Sequence, residues 1–167
     1  MVQYALLLTF PAIMAFAGSI DLLTMTIPNR VSLALVAVFP LAAVVIEMDW
    51  AAFASHLGAG ALMLVVGIAM FARGWLGGGD AKLLAAAALW LGFEHLAGYL
   101  LLVAIAGGVL ALLIFSYRNV APPAWLLGQA WAMRLHDKKV GIPYGIALAA
   151  AALWIYPSTL WFSGFSV

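Results

Sequence analysis

Residues 74–84 read GWLGGGDAKLL and lie between two long apolar stretches of the chain. Three consecutive glycines, Gly77, Gly78 and Gly79, are followed at once by the acidic Asp80. Glycine has no Cβ atom, so its backbone can adopt positive φ and let another segment approach closely. An ionisable side chain at membrane depth is costly unless it is paired or hydrated, which makes it a functional-site hypothesis. The stretch therefore predicts a break between two helices with a functional carboxylate beside it.

The composition predicts a protein of the lipid bilayer. Of the 167 residues 68% are apolar and 8% are charged, whereas about a quarter of the residues in soluble domains are charged. A shorter run begins near Asp80 and is interrupted by Gly92. Five further runs approach the length of about 20 residues that spans a bilayer: 3–20, 31–46, 54–72, 96–115 and 141–162. We predict an all-α membrane protein with about six transmembrane helices, forming a single polytopic domain over 1–167. No positive charge precedes the first run, so we interpret it as a retained helix and not as a cleaved signal.

The basic residues predict the orientation of the chain. In the six-helix arrangement all seven fall on one side: Arg30, Arg73, Lys82, Arg118, Arg134, Lys138 and Lys139. The loops on the other side carry Glu47, Asp49, Glu94 and His95. Short loops rich in Lys and Arg stay in the cytoplasm, so both termini are predicted to be periplasmic. The net charge of +1 gives no indication of a nucleic-acid partner.

Asp21 and Asp80 are the two acidic residues that this topology brings to the same boundary. Asp21 lies at the end of the first helix and Asp80 at the start of the fourth, so both are predicted at the cytoplasmic boundary. Two carboxylates that are forced together in a low-dielectric site cannot both be ionised. The pair therefore holds one proton between its members. The protonated member then acts as a general acid and the ionised member as a general base, which together activate a water molecule against a peptide carbonyl. The pair titrates as a unit.

Each of these residues also has a plain structural interpretation. Asp80 can be a helix N-cap, Asp21 an interfacial residue that points into water, and the glycines a simple helix break. The three histidines, His56, His95 and His136, fall on both sides of the predicted membrane, so no metal site and no cofactor is expected. The chain has no cysteine, which excludes disulfides, zinc thiolates and cysteine nucleophiles.

At this point the sequence resembles the type IV prepilin leader peptidases, which are aspartyl proteases with a Gly-x-Gly-Asp signature. The similarity lies in an aspartate followed by IPN after the first helix, in GGGDAKLLAAAALWLG at 77–92, in VGIPYGIALAAA at 140–151 and in the total length. The resemblance implies that Asp21 and Asp80 are catalytic, with Gly77 and Gly79 shaping the strand beside Asp80 and Gly78 between them.

The resemblance also implies a substrate and a location. The partners would be prepilin and pseudopilin precursors, whose short basic leader is cut on the cytoplasmic side of the bacterial inner membrane, after a glycine and before the apolar pilin helix. Longer members of the family carry a further cytoplasmic region with cysteine pairs and also N-methylate the product. This chain lacks such a region, so it resembles the short, peptidase-only form of tight-adherence (Flp-type) pilus systems, and no methyltransferase activity is expected.

Five further residues are weaker candidates for shaping the site. Pro28 and Asn29 begin the second helix, where proline presets φ and asparagine can cap. Lys82 lies within one turn of Asp80 and can act on that carboxylate, bind lipid phosphate or snorkel to the interface. Pro143 and Tyr144 can face the site from the last helix, although a proline kink with an interfacial tyrosine explains them equally well.

The loop over 116–140 and two rival functions complete the predictions. Trp125, Trp131 and Leu135 recur at mostly helical spacing with basic residues after them, which favours a segment lying on the membrane lipid, as an anchor or as a cover near the site. A small ion-coupled transporter or channel with Asp21 and Asp80 as cation ligands is one alternative function. A structural role with both aspartates as caps is another. Small-residue spacings such as Gly141 to Gly145 also allow a homo-oligomer.

Overall fold

The computed structural model describes residues 2–163, with side chains over 6–162. Met1 and residues 164–167, at the termini predicted to be periplasmic, lie outside the described residues. Every regular element between residues 2 and 163 is helical. The α-helices are α1 (Val2–Thr24), α2 (Asn29–Val45), α3 (Trp50–Ala72), α4 (Gly78–Arg118), α5 (Ala130–His136), α6 (Tyr144–Ile155) and α7 (Leu160–Ser163), with short 3-10 turns at Ala124–Leu126 and Tyr156–Ser158.

Helix α4 breaks at Gly92 and folds back on itself. Gly92 has φ 69° and ψ 176°, which is not helical, and it divides α4 into a first arm (78–91) and a second arm (93–118). Tyr144 contacts Gly107 in the second arm, while the adjacent Gly145 faces Asp80 in the first arm. In a straight helix Asp80 and Gly107 would be about 40 Å apart. The two arms are therefore antiparallel.

The break exposes backbone carbonyls, and two aromatic side chains satisfy them. His56 Nδ1 lies 2.8 Å from the carbonyl oxygen of Leu89, and the Trp161 indole N–H donates to the carbonyl of Trp90. Both side chains are buried, with His56 3% exposed. Buried carbonyls at the end of a helix are costly unless they find a donor, so these contacts stabilise the turn at Gly92.

The first arm of α4 is the centre of the core. Almost every residue from Ala81 to Gly92 is buried, the exception being Lys82. Helix α3 packs on this arm through Gly60 and Gly67, and α2 and α6 pack on α4 as well. The first arm thus holds its N-terminus, including Asp80, at a fixed place among the other helices.

The prediction of an all-helical membrane protein agrees with the apolar helices, but the number of spans remains a prediction. Three helical stretches are long and apolar enough to cross a bilayer, Leu6–Thr24, Trp50–Ala72 and Gly78–Arg118, and Asn29–Val45 and Tyr144–Ser158 are shorter apolar helices. The predicted fourth and fifth helices correspond to the two arms of α4, although the break lies at Gly92, inside the predicted fourth helix. The predicted last run, 141–162, is wrong in its bounds, because α6 starts after Pro143 and ends at Ile155.

Replacing Gly92 with alanine should destabilise the protein. A side chain at this φ and ψ costs on the order of 1–3 kcal/mol, and its Cβ would lie 2.9 Å from His56 Nε2. We expect a lower apparent melting temperature for Gly92→Ala in detergent. Gly108→Ala in the second arm is the matched control, because a Cβ there meets no atom within 4 Å. An equal melting temperature for the two variants would contradict this account of the turn.

Candidate active site

Asp21 lies in the last turn of α1, and its carboxylate is held by the start of α6. The Gly145 backbone N–H donates to Asp21 Oδ2 at 2.8 Å, and Asp21 is 5% exposed. The first N–H groups of a helix have no partner within the helix, so an anionic carboxylate is stabilised there. The interpretation of Asp21 as a residue that points into water is therefore wrong.

Asp80 lies in the first turn of α4, partly buried, with its carboxylate turned towards Gly77 and Gly145. An ideal Cβ on Gly77 would lie 2.7 Å from Asp80 Oδ2, and the backbone amides of Gly77 and Gly145 face this carboxylate. The N-cap of α4 is Gly77, and Asp80 is the third residue of the helix. The interpretation of Asp80 as an N-cap is therefore wrong.

Asp80 also has an oxygen that the fold leaves without a partner. Its Oδ1 is buried and makes no hydrogen bond within the described part of the chain. Buried polar atoms nearly always have a partner, and an exception calls for a functional or structural explanation. Structural contacts within the described residues therefore do not account for this oxygen.

Asp21 and Asp80 meet in one site, although they are far apart in the sequence. The charge of Asp21 acts on Asp80, and the Gly145 amide faces both carboxylates. The two residues reach this place on different helix ends, Asp21 at the end of α1 and Asp80 at the start of α4. Two carboxylates that act on each other in one site are able to share one proton.

The segment that follows Asp21 packs against the starts of α4 and α6. Met25 has a positive φ of 58°, and its N–H bonds to the carbonyl of Asp21. This turn brings Ile27 against Gly79, where an ideal Cβ would lie 3.1 Å from Ile27 Cβ and 3.2 Å from its carbonyl oxygen. Ile27 Cδ1 also lies 2.8 Å from an ideal Cβ on Gly145. Because Gly79 and Gly145 have no side chains, the end of α1 and the starts of α4 and α6 can converge.

Pro28, Asn29 and Lys82 lie beside the site, but their contacts differ from the predicted ones. Pro28 is the N-cap residue of α2, and no side chain caps this helix. The Asn29 side chain does not cap either, because its Oδ1 accepts a hydrogen bond of 2.8 Å from Lys82 Nζ. Among the described contacts Lys82 therefore bonds to α2, and none joins it to Asp80.

Pro143 and Tyr144 flank the site and face other parts of the fold. Pro143 is buried at the N-cap of α6. The Tyr144 ring packs on Gly107 in the second arm of α4. The residue next to them, Gly145, contacts the aspartates, although its spacing from Gly141 predicted only a role in helix packing. The position of Gly145 in IPYG, at the start of an apolar helix, was the sequence feature that could have identified it as a site residue.

The loop over 116–140 folds onto the same end of the molecule. It contains a 3-10 turn and α5, which is seven residues long, and its Leu126 and Leu135 are buried. The Arg134 guanidinium donates to the carbonyl of Leu23 near the end of α1. Trp125 is exposed, which leaves the predicted contact with lipid a prediction.

No group of three or more His, Asp or Glu side chains within the described residues is arranged to hold a metal ion. His56 supports the turn at Gly92 and His136 contacts the carbonyl of Val120.

The sequence model of the type IV leader peptidase family matches residues 8–112. This match covers more than half of the chain and includes both Asp21 and Asp80, whereas α6 lies beyond it. No curated protein and no solved structure matched the chain. The match supports a peptidase and gives no support to a small transporter.

Alanine at 79 should destabilise the protein, whereas alanine at 78 should not. A Cβ at Gly79 meets backbone atoms of Ile27, which cannot move alone, while a Cβ at Gly78 meets only the Phe71 ring at 3.3 Å. Alanine is also preferred over glycine in helices by up to about 1 kcal/mol. We expect Gly79→Ala to lower the apparent melting temperature in detergent and Gly78→Ala to leave it unchanged or raise it. The reverse order would show that Ile27 does not lie against Gly79.

Proposed function

The chain belongs to the type IV leader peptidase family, and we propose that it is an aspartyl endopeptidase that removes the leader peptide from prepilins and pseudopilins with Asp21 and Asp80 as its catalytic pair. The observation that carries this proposal is the convergence of these two carboxylates on the Gly145 amide. The unpartnered Asp80 Oδ1 supports the proposal, because contacts within the fold do not account for this buried oxygen.

The proposed reaction is hydrolysis without a covalent intermediate. The ionised aspartate removes a proton from a water molecule, whose oxygen attacks the carbonyl carbon of the scissile peptide, while the protonated aspartate donates its proton to the carbonyl oxygen. The tetrahedral species then collapses, the C–N bond breaks, and the leaving amine takes up a proton. Because the pair shares one proton, the two roles belong to the pair and not to a fixed residue.

The charges around the site support cleavage on the cytoplasmic side. Asn29, which precedes Arg30, is bonded to Lys82, and Arg134 reaches the end of α1. Arg118 in turn donates to carbonyls of the loop before α6. Basic residues thus surround the end of the bundle that carries the aspartates. By the positive-inside rule this end faces the cytoplasm, where a short basic leader would be found.

The finer assignment follows the short form of the family. We propose Flp-type prepilins as substrates, the bacterial inner membrane as the location and peptidase activity without N-methylation. No cofactor is needed for hydrolysis by two carboxylates.

Single substitutions at either aspartate should abolish cleavage. Asp21→Ala, Asp80→Ala and Asp80→Asn each remove one partner of an acid–base pair that contributes on the order of 10²–10⁴-fold or more to the rate. We expect no leader removal from a co-expressed Flp-type prepilin, followed by immunoblotting, while the variants still accumulate in the membrane.

Asp49→Asn is the matched control for this experiment. Asp49 is exposed and accepts the N–H of Ala52 at the start of α3, and asparagine caps a helix about as well as aspartate. This variant should cleave like the wild type. Leader removal by either alanine variant would overturn the proposed pair.

The pH dependence should report a shared proton. Catalysis needs one protonated and one ionised carboxyl, so cleavage should decline towards both acidic and alkaline pH with two apparent pKa values that belong to the pair. Initial rates with purified enzyme and prepilin in detergent at a series of pH values test this expectation. A rate that stays constant from mildly acidic to alkaline pH would argue against the mechanism.

A further inference from the structure

Helices α2 and α3 leave a gap between them next to the candidate active site. They are consecutive in the chain and touch near their connection, where the rings of Phe39 and Phe53 stack with centroids 5.6 Å apart. Towards the site they diverge, and each packs on α4 with few contacts between the two. The result is a wedge that is closed at one end and open at the end that carries Asn29.

The first arm of α4 forms the floor of this wedge, and the wedge encloses about 490 Å³. On each of the three helices the lining residues recur at intervals of three, four and seven positions, beginning at Asn29, Leu57 and Lys82. Each set therefore follows one helix face for two turns, roughly 10 Å. A groove that runs parallel to its three helices has the direction of a further helix.

Small side chains line the centre of the groove and larger ones line its edges. Ala85 and Ala86 keep the floor low, and Gly60 and Ala61 keep part of the α3 wall low, whereas the α2 wall residue Leu33 is 64% exposed. In a bilayer helices associate where small residues let their backbones come close, because apolar side chains gain little by leaving apolar lipid. The small residues of the floor and of the α3 wall thus favour a helix over a loose covering of acyl chains.

The open end of the groove is charged and adjoins the aspartates. Lys82, bonded to Asn29, is the only charged residue of the lining, and it follows Asp80 by two residues. A fixed positive charge there repels a basic segment, so it keeps a basic leader out of the groove while the uncharged residues beyond the cleaved bond can enter. This charge relation sets the direction in which a substrate lies across the site.

A second apolar groove lacks the charged mouth of the first. It lies between α3 and the second arm of α4, where Met63, Met70 and Trp75 line it together with the small residues Ala104, Gly107 and Gly108. No charged residue lines it. The second groove therefore carries no positive charge that would direct a basic leader away from its mouth.

We infer that the groove between α2 and α3 binds the apolar helix of the substrate that follows the cleaved bond, with Lys82 at its mouth directing the basic leader away. The inference rests on the proposed peptidase function. It adds a substrate-binding site in the membrane that is built from residues outside the catalytic pair.

Disulfide cross-linking tests the inference directly, because the chain has no cysteine of its own. Leu33→Cys and Leu64→Cys place single thiols on the two walls, in an Asp80→Asn background that retains uncleaved substrate. The probe is an Flp-type prepilin with one cysteine in the first two turns of its apolar helix, oxidised in membranes with copper phenanthroline. A disulfide forms only when the two Cα atoms come within about 7 Å.

Two control positions make the result specific. Leu113→Cys on the second arm of α4 is 62% exposed, as Leu33 is 64% exposed, and it lies five residues from a helix end whereas Leu33 lies four from one. Val103→Cys probes the second groove. We expect the cross-linked product with both wall variants, several-fold above either control. Equal yields at all positions, or a maximum at Val103→Cys, would overturn the inference.

A kinetic variant gives an independent readout in the active enzyme. Ala61 is exposed in the groove, so Ala61→Phe fills the groove without displacing core residues. We expect a KM raised several-fold with kcat little changed, because the variant removes binding and not chemistry. Ala69→Phe, the same change at an exposed position of α3 outside the groove, should behave like the wild type. Wild-type kinetics for Ala61→Phe would overturn the groove while leaving the peptidase intact, whereas a wild-type enzyme that cleaves no prepilin would overturn the proposed function itself.

Discussion

A hydrogen bond from the backbone N–H of Gly145 to the carboxylate of Asp21 joins the last long helix to the first. Both groups are buried, so each would be costly without the other. The contact leaves no room for a side chain at residue 145, because an ideal Cβ there would lie 2.8 Å from Asp21 Oδ2. It also places the start of α6 where its amides face Asp80. The interaction that fixes how α1 packs against α6 is thus the one that assembles the candidate site.

At the Gly92 end of the first arm of α4, buried polar groups also need hydrogen-bond partners, and other residues supply them. Apolar surroundings offer no water to a backbone carbonyl, so a chain can reverse there only if side chains supply donors. His56 and Trp161 supply them at Gly92. The first arm of α4 is therefore fastened at both ends, by aromatic donors at Gly92 and by close glycine packing at Asp80. This fixed helix gives the two grooves their shape and the aspartate its position.

The sequence predicted the features that depend on composition and order. Apolar runs predicted the helices, and the clustering of basic residues predicted which helix ends lie together, which is why Asp21 and Asp80 could be expected to meet. It did not predict contacts that depend on three-dimensional packing. Gly145 looked like one small residue among many, and Asn29 looked like a cap although Lys82 binds it. The six-span topology, the roles of the site residues and the oligomeric state remain predictions.

The loop before α6 is fastened unevenly along its length. Arg118 donates to carbonyls at 135, 140 and 141, and Arg134 reaches α1, so the later half of the loop is tied to the body of the protein. Gly128, in the earlier half, is exposed, and a Cβ there meets nothing within 4 Å. Extra residues inserted at Gly128 would leave the register of α6 intact, whereas residues added after Arg134 would shift the Gly145 amide. We therefore expect insertions, including a grafted reporter domain, to be tolerated in the loop before Arg134 and not after it.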